Sequence, residues 1–222
     1  MRLLAIDTAL EACSVGVVSG DASFARSENV GRGHAERLMG MIEATMAEAK
    51  LAFPDLDRIA VTVGPGSFTG VRVGIAAARG LALVTGVPAV GIVTLAVHAE
   101  EARALRGARP VLAVIAAGRG ELYGALYAAD GHEQAPPRAA SAQVFAALVG
   151  RDTVIAGSGA DLVIAALPMD VAPEVAHRRS SPDIATLCRL AIAAPAPDAP
   201  PKPLYLRPPD AKPQAAARIA RR

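Results

Sequence analysis

The order of predicted strands and helices repeats once along the chain, and this repeat limits the fold more than any other feature of the sequence. The first half predicts strands and helices at 2–7, 12–19, 22–28, 34–50, 58–63, 69–85, 87–91 and 94–105. The second half predicts a similar order at 110–116, 121–129, 141–149, 153–156, a short helix that ends at 167, and 181–193. Because strands alternate with helices in both halves, we expect an α/β protein. We predict two similar subdomains, 1–108 and a smaller 109–222 with a proline-rich tail.

The composition shows how the core of such a chain must be built. With 222 residues the chain is long enough for two small domains, and 52% apolar residues can form a sizeable core. Aromatic residues make up only 3% and tryptophan is absent, so the core must consist mainly of Ala, Val, Leu and Ile. Small side chains of this kind require close backbone packing.

The charge and the cysteine content limit which partners the chain is expected to bind and in which compartment it is expected to lie. The net charge of +2, from 23 basic and 21 acidic residues, is too balanced for a surface dedicated to nucleic acid. The basic excess at the end of the chain is expected to be a solvated tail; it comprises Arg207, Lys212, Arg218, Arg221 and Arg222. Cys13 and Cys188 form no CxxC pair, so neither a disulfide framework nor a zinc motif is expected. Without a leader pattern or an uninterrupted apolar run of ~18 residues, we predict a cytoplasmic protein with no membrane contact.

The glycine-rich segment Gly64–Gly74 is the most informative part of the sequence. A predicted strand leads into it and a predicted helix follows, with Ser67 or Thr69 in position to cap that helix. Helix N-termini favour anions, so a phosphate-binding loop is conceivable. The segment nevertheless lacks the Gly-Lys-Ser/Thr ending of a P-loop and the spacing of a dinucleotide-binding loop. A structural turn is therefore favoured, and an anion site stays open as the alternative.

Small residues form a stripe along the helix that follows this segment. Gly70, Gly74 and Ala78 are spaced at i, i+4 and i+8, so they share one face of the helix. Such a face allows another element to approach closely. The stripe either packs inside its own subdomain or forms a subunit interface that Arg72 and Arg79 could border.

No set of side chains in the sequence predicts a catalytic or metal centre. His34 and Glu36 begin a predicted helix, but Leu38 stands where a second histidine ligand would be needed, and the other histidines lie in unrelated contexts. Ser67 has no evident histidine partner. At the end of the first strand, Asp7 and the adjacent Thr8 could lie near the phosphates of a nucleotide, although an acidic residue at a strand end usually serves turn chemistry.

Together these segments resemble one family. The resemblance to the TsaB (YeaZ-type) family rests on Ile6–Thr8, His34–Leu38, Gly64–Gly74, Glu121–Tyr123 and Pro203–Arg207. It implies an actin-like fold of the sugar kinase, Hsp70 and actin superfamily, with mixed sheets flanked by helices in two similar subdomains. The proline-rich stretch at 195–201 should be extended, and the apolar residues after it should dock back on the body.

The resemblance also implies a function. Members of the family act as non-catalytic subunits that are required, with the catalytic subunit TsaD and the ATPase TsaE, for transfer of threonylcarbamoyl to N6 of adenosine 37 in tRNAs reading codons that begin with A. The chain is then expected to hold no cofactor by itself, with ATP or ADP at the junction with its partners, and to meet tRNA through the complex. Ala116-Ala117-Gly118 replaces an Asp-Ala-Arg motif of the family, which weakens the case for nucleotide hydrolysis.

Family members pair with TsaD through their first two helices, here 34–50 and 69–85. The interface residues that this predicts are His34, Leu38, Met41, Ile42, Gly70, Val71, Gly74 and Ala78. The same surface would support a homodimer when TsaD is absent. Two alternatives stay open: an independent ATP-binding phosphotransferase or peptidase-like enzyme of the same fold, and a self-associating structural protein.

Overall fold

Two five-stranded sheets form the frame of the computed structural model, which describes residues 1–118 and 120–207. The strands are β1 Arg2–Asp7, β2 Ala12–Ser19, β3 Ala22–Asn29, β4 Arg58–Thr62, β5 Ala89–Ile92, β6 Val111–Ala116, β7 Leu122–Tyr127, β8 Glu133–Ala140, β9 Val154–Ala156 and β10 Glu174–His177. The helices are α1 His34–Glu48, α2 Phe68–Thr85, α3 Thr94–Arg106, α4 Ala142–Ala146, α5 Ala160–Ile164 and α6 Ile184–Ala193. The basic residues predicted to form a solvated tail at 212–222 lie outside the described residues.

The two sheets have the same topology. Their strand orders are β3-β2-β1-β4-β5 and β8-β7-β6-β9-β10. In each sheet the first three strands of the chain are antiparallel neighbours, and the fourth and fifth add in parallel beside the first. Since parallel pairing needs a crossover connection, a helix follows the third and fourth strands of each half. The repeat that the sequence predicts is thereby confirmed, as is the actin-like α/β fold.

Helices cover both faces of the first sheet. Side chains alternate along a strand, so Leu4 and Ile6 of β1 face the core beneath α1 and α2, whereas Leu3 and Ala5 face α6. The two faces of β1 are both apolar for this reason, as is typical of a strand buried between helical layers. The second sheet lies in the same way between α4 with α5 on one face and α3 on the other.

The third helix of each half packs on the sheet of the other half. Leu95, Ala99 and Ala102 of α3 belong to the core of the second sheet, although α3 precedes the predicted boundary at residue 108. In return, Leu187 and Ala191 of α6 pack on the first sheet. The boundary at 108 therefore separates the strands but not the helices, because a helix packs where its apolar face is buried and not where the chain order would put it.

Two strands, β8 and β10, are not predicted from the sequence. Strand β8 contains Pro136 and Pro137, and prolines cannot donate to a sheet ladder, yet β8 lies at the edge of the second sheet where unpaired positions are tolerated. Strand β10 is four residues long and forms the opposite edge. Both are edge strands with little apolar alternation, which is the signal on which strand prediction depends.

The segment after α6 docks back on the body of the protein, as predicted, and it does so on the first subdomain. We call residues 195–207 the C-terminal strap. The amide of Leu204 donates to the carbonyl of Val63 at 2.8 Å, which continues the hydrogen bonding beyond β4. Further on, the guanidinium of Arg207 donates to the carbonyl of Ala117 at 3.0 Å and pairs with Glu121. The strap thus connects the end of β4 to the loop between β6 and β7.

Candidate functional site

The glycine-rich segment is a structural turn that attaches α2 to the end of β1. The hydroxyl of Ser67 caps α2 by accepting from the amide of Gly70 at 3.3 Å. The amide of Ser67 donates to the carbonyl of Ala9 at 2.7 Å. In addition, the hydroxyl of Thr8 donates to the carbonyl of Gly70 at 2.7 Å. These bonds support the turn that the sequence favours over an anion-binding loop.

The small-residue stripe of α2 faces its own sheet. A Cβ added at Gly74 would lie 2.5 Å from the hydroxyl oxygen of Thr8 and 3.2 Å from a methyl group of Val61. A Cβ at Gly70 would collide with the carbonyl of Thr8. Only glycine allows α2 to approach β1 and β4 this closely. Of the two interpretations that the sequence left open, packing inside the subdomain is the one observed.

The predicted interface residues must therefore be corrected. The side chains or glycines at all eight positions are buried in the chain: His34, Leu38, Met41, Ile42, Gly70, Val71, Gly74 and Ala78. Most of them belong to the apolar core above the first sheet, where Leu38 and Ile42 are almost fully enclosed. Helical periodicity identifies the stripe correctly, and the family resemblance assigns it to a partner, whereas in the structure the stripe packs against the sheet of the same subdomain. Any partner of these helices must contact their opposite sides.

The opposite sides of α1 and α2 carry a group of small and apolar exposed residues, with the charged residues Glu36, Glu43, Arg72 and Arg79 exposed among them. We call this group the α1–α2 outer face; it consists of the exposed residues Met39, Gly40, Ala44, Ala47, Ala76, Gly80, Leu83 and Val84. A Cβ at Gly40 or Gly80 would meet no atom within 4 Å. Leu83 and Val84 are 86% and 85% exposed. Because both helices cover the same face of the sheet, these residues all point away from the core.

The composition of α2 shows how unusual this outer face is. By length and composition alone, α2 is apolar enough to cross a membrane, yet only 28% of its residues are buried. In a core helix the apolar residues would be mostly enclosed. Here α2 carries apolar or small residues on both its inner and its outer side. Exposed apolar surface of this kind is typical of an interaction site.

Asp7 and Thr8, the predicted nucleotide-proximal residues, are both buried. Asp7 accepts a hydrogen bond from the hydroxyl of Thr62 at 2.5 Å and one from the amide of Ala9 at 3.1 Å. Burial raises the pKa of Asp7 from 3.8 to about 6, although both hydrogen bonds act against this shift. Asp7 thus closes a turn. A cleft of about 270 Å³ opens nearby and is lined by Leu10, Glu11, Gly31, Gly66, Ser67, Ala116, Ala117 and Tyr123, so a nucleotide there would meet these residues first.

The raised pKa of Asp7 predicts a specific pH dependence of stability. The folded chain holds the proton of Asp7 more tightly than the unfolded chain does. The contribution of this proton to the free energy of unfolding is therefore full below pH 3.8 and is lost as the pH rises through about 6. Asp7→Asn keeps an acceptor for Thr62 but removes the titration. Relative to this variant, wild-type protein should lose about 2 kcal/mol of unfolding free energy between pH 4 and pH 7. Urea denaturation of both proteins at the two pH values measures the difference. An equal change in the free energy of unfolding of wild type and Asp7→Asn would contradict the raised pKa.

The structure brings together two histidines that lie in unrelated contexts of the sequence. The rings of His98 on α3 and His177 at the end of β10 lie 5.3 Å apart, and the carboxylate of Glu101 lies beside them. Burial lowers the pKa of His98 to about 3 and also lowers that of His177. The spacing of His98 and Glu101 on one helix was visible in the sequence, but β10 was not predicted.

Comparisons with known proteins agree with this fold. The sequence model of the family described as TsaD, tRNA N6-adenosine threonylcarbamoyltransferase, matches residues 27–152. The Escherichia coli (strain K12) tRNA threonylcarbamoyladenosine biosynthesis protein TsaB is 43% identical over 130 residues, which are 59% of this chain and 56% of that protein. The chain therefore spans about half the length of the curated TsaB relatives that it matches. An uncharacterized Mycobacterium tuberculosis protein is 37% identical over 216 residues, with 96% and 95% of the two chains covered.

Two solved structures from Pseudomonas aeruginosa match most of the chain. One, described as an uncharacterized protein with similarity to peptidase YeaZ, has a TM-score of 0.79 at 31% identity and covers 93% of this chain and 99% of that one. The other, described as YeaZ, has a TM-score of 0.74 at 30% identity, with 86% and 91% covered. Fold, sequence identity and length agree over nearly the whole chain, which therefore belongs to the TsaB/YeaZ family.

Proposed function

We propose that this chain is the non-catalytic partner subunit of the machinery that puts threonylcarbamoyl on N6 of adenosine 37 in tRNA, acting with a TsaD-like catalytic subunit and a TsaE-like ATPase. The observation that carries the proposal is the α1–α2 outer face. Membership of the TsaB/YeaZ family and the match to the TsaD family over 27–152 support the pathway.

The outer face fits a partner of the same fold. A protein that matches the TsaD family over α1 and α2 is expected to meet a TsaD-like chain that carries an equivalent helix pair. Two such pairs can pack face to face, as in an isologous contact. The exposed glycines Gly40 and Gly80 would allow helix backbones to approach, and Leu83 and Val84 would supply apolar area. A homodimer would use the same contact when the catalytic subunit is absent.

The side chains on which an independent enzyme would depend are engaged in structural hydrogen bonds. Asp7 is buried and accepts from Thr62, and Ser67 caps a helix. The hydroxyl of Ser158, in the second glycine loop, accepts from the amide of Ala116 at 3.1 Å. These contacts favour an accessory subunit over a phosphotransferase or a peptidase, and a nucleotide is expected only at the junction with the partners.

Reconstitution tests the proposal. TsaD, TsaE, unmodified tRNA and threonylcarbamoyl-adenylate are combined with and without this chain, and modified adenosine is measured by mass spectrometry. We expect product to rise by at least about tenfold when the chain is present, since the partner completes the catalytic assembly. This chain without TsaD should give none. Equal product in its absence would refute the proposed function while leaving the fold unaffected.

A further inference from the structure

The cluster formed by His98, Glu101 and His177 joins two segments that cross between the subdomains. His98 and Glu101 lie on α3, which carries the chain from the first sheet to the second. His177 ends β10, just before the segment that leads back to α6 on the first sheet. The cluster therefore lies where the two crossing segments meet. It shares no residue with the α1–α2 outer face or with the lining of the cleft near Gly66 and Ser67.

The ligand atoms of this cluster are buried and unsatisfied. His98 is fully buried and Glu101 is 5% exposed. Within the described residues, Nδ1 of His98 and both ring nitrogens of His177 find no hydrogen-bond partner. Buried polar atoms usually have one, so each such atom needs a physical reason. One potential ligand atom from each of the three residues lies within 4.8 Å of the others.

The spacing of one pair of these atoms matches a small divalent cation. Nε2 of His177 lies 3.5 Å from Oε2 of Glu101. Two ligands of a tetrahedral zinc ion, each about 2.0–2.1 Å from the metal, are separated by about 3.4 Å. Two imidazoles with one carboxylate form a common three-residue ligand set for zinc, whereas magnesium and calcium prefer oxygen ligands alone.

The neighbouring groups orient the ligands in the required way. The other ring nitrogen of His98, Nε2, lies 3.0 Å from the carbonyl of Ser180; since a carbonyl can only accept, Nε2 carries the hydrogen and donates the hydrogen bond. The lone pair of His98 then resides on Nδ1, which is buried and has no hydrogen-bond partner within the described residues. The guanidinium of Arg179 pairs with Oε1 of Glu101 and leaves Oε2 for the cluster, while the Arg179 side chain itself is 56% exposed. Carbonyl and charged partners behind the ligands are typical of metal sites.

We propose that His98, Glu101 and His177 bind one zinc-class divalent cation, which fastens α3 to the end of β10. Three protein ligands leave one coordination position for a solvent molecule. The cation would pin the two crossing segments to each other and so restrict the movement of one subdomain against the other. The proposal is independent of the proposed function in tRNA modification.

Zinc binding by the chelator-treated, tag-free full chain tests this proposal. Titration with zinc chloride against a chromophoric chelator should show one equivalent with micromolar or tighter affinity, and zinc should raise the melting temperature. His177→Gln and Glu101→Gln should each weaken binding by about 100-fold, because loss of an outer-shell partner alone costs 10–100-fold. His132→Gln is the matched control, since the side chain of His132 is 87% exposed and is not part of the cluster.

A measurement on wild-type protein keeps the test decisive if these variants fold poorly. Bound cobalt should give visible ligand-field bands without the intense near-ultraviolet band of cobalt–thiolate bonds, since the ligands are imidazole and carboxylate. A thiolate band would place the metal on Cys13 or Cys188 and overturn the proposal. Absence of saturable zinc binding, or equal affinity in His177→Gln and wild type, would overturn it as well.

Discussion

Replacing Ala76 with arginine is expected to weaken pairing with a TsaD-like subunit by at least about 30-fold, which corresponds to about 2 kcal/mol. Ala76 is exposed in the middle of the α1–α2 outer face, between Arg72 and Gly80 along α2. An arginine there would hold the two helix layers apart and would bury a charge without a partner. Arginine is a good helix former, so the fold itself should be unaffected. Affinity is measured with the purified subunits, and product formation in the reconstituted reaction should fall in parallel.

Ala104→Arg provides the matched control for this change. Ala104 is an exposed alanine inside α3, so the substitution has the same chemistry on a helix outside the outer face. Leu83→Asp and Leu105→Asp form a second pair, since the two leucines are 86% and 55% exposed on α2 and α3. We expect only Ala76→Arg and Leu83→Asp to weaken pairing. Equal effects of both members of a pair would show that the partner binds elsewhere.

The fold was largely predictable because its signals are local and repeated. Apolar runs predict strands such as β1 and β2, and Gly20 and Asp21 predict the turn between β2 and β3. Ser67 and Thr69 are the two candidate caps of α2, and Ser67 is the one observed. The repeated order of these elements is then sufficient to predict two similar subdomains. Edge strands β8 and β10 carry little of the apolar alternation that such prediction needs, so they were found only in the structure.

The site was harder to predict because sequence periodicity gives the spacing of a stripe but not its direction. Gly70, Gly74 and Ala78 indicate that something approaches α2 closely, and either a sheet or a partner would satisfy that pattern. The outer side of α2 carries Ala76, Gly80, Leu83 and Val84 beside Arg72 and Arg79, so it is less apolar than the inner side but not polar throughout. The histidine cluster required contact between residues 79 positions apart, His98 and His177, through a strand that was not predicted.

The inner and outer sides of α2 can be separated by placing the same substitution on each. Gly74→Leu is expected to destabilise the chain by about 3 kcal/mol or more, because a leucine must enter a packed layer where even a Cβ would lie 2.5 Å from Thr8. Gly80→Leu, six residues further along the same helix, meets open space. It should leave the free energy of unfolding unchanged or raise it by up to about 1 kcal/mol, since leucine favours helix more than glycine does.

Urea denaturation and partner binding, measured on both variants, should then give opposite patterns. Gly74→Leu loses stability, whereas Gly80→Leu remains folded but pairs weakly, because its side chain projects into the contact between helix layers. If Gly74→Leu instead folds as stably as wild type and only pairing is lost, the inner stripe forms the interface after all. That result would mean that α2 separates from β1 when the partner binds. The pair of glycines thus decides whether the side of α2 that packs in the isolated chain is also the side that stays packed in the complex.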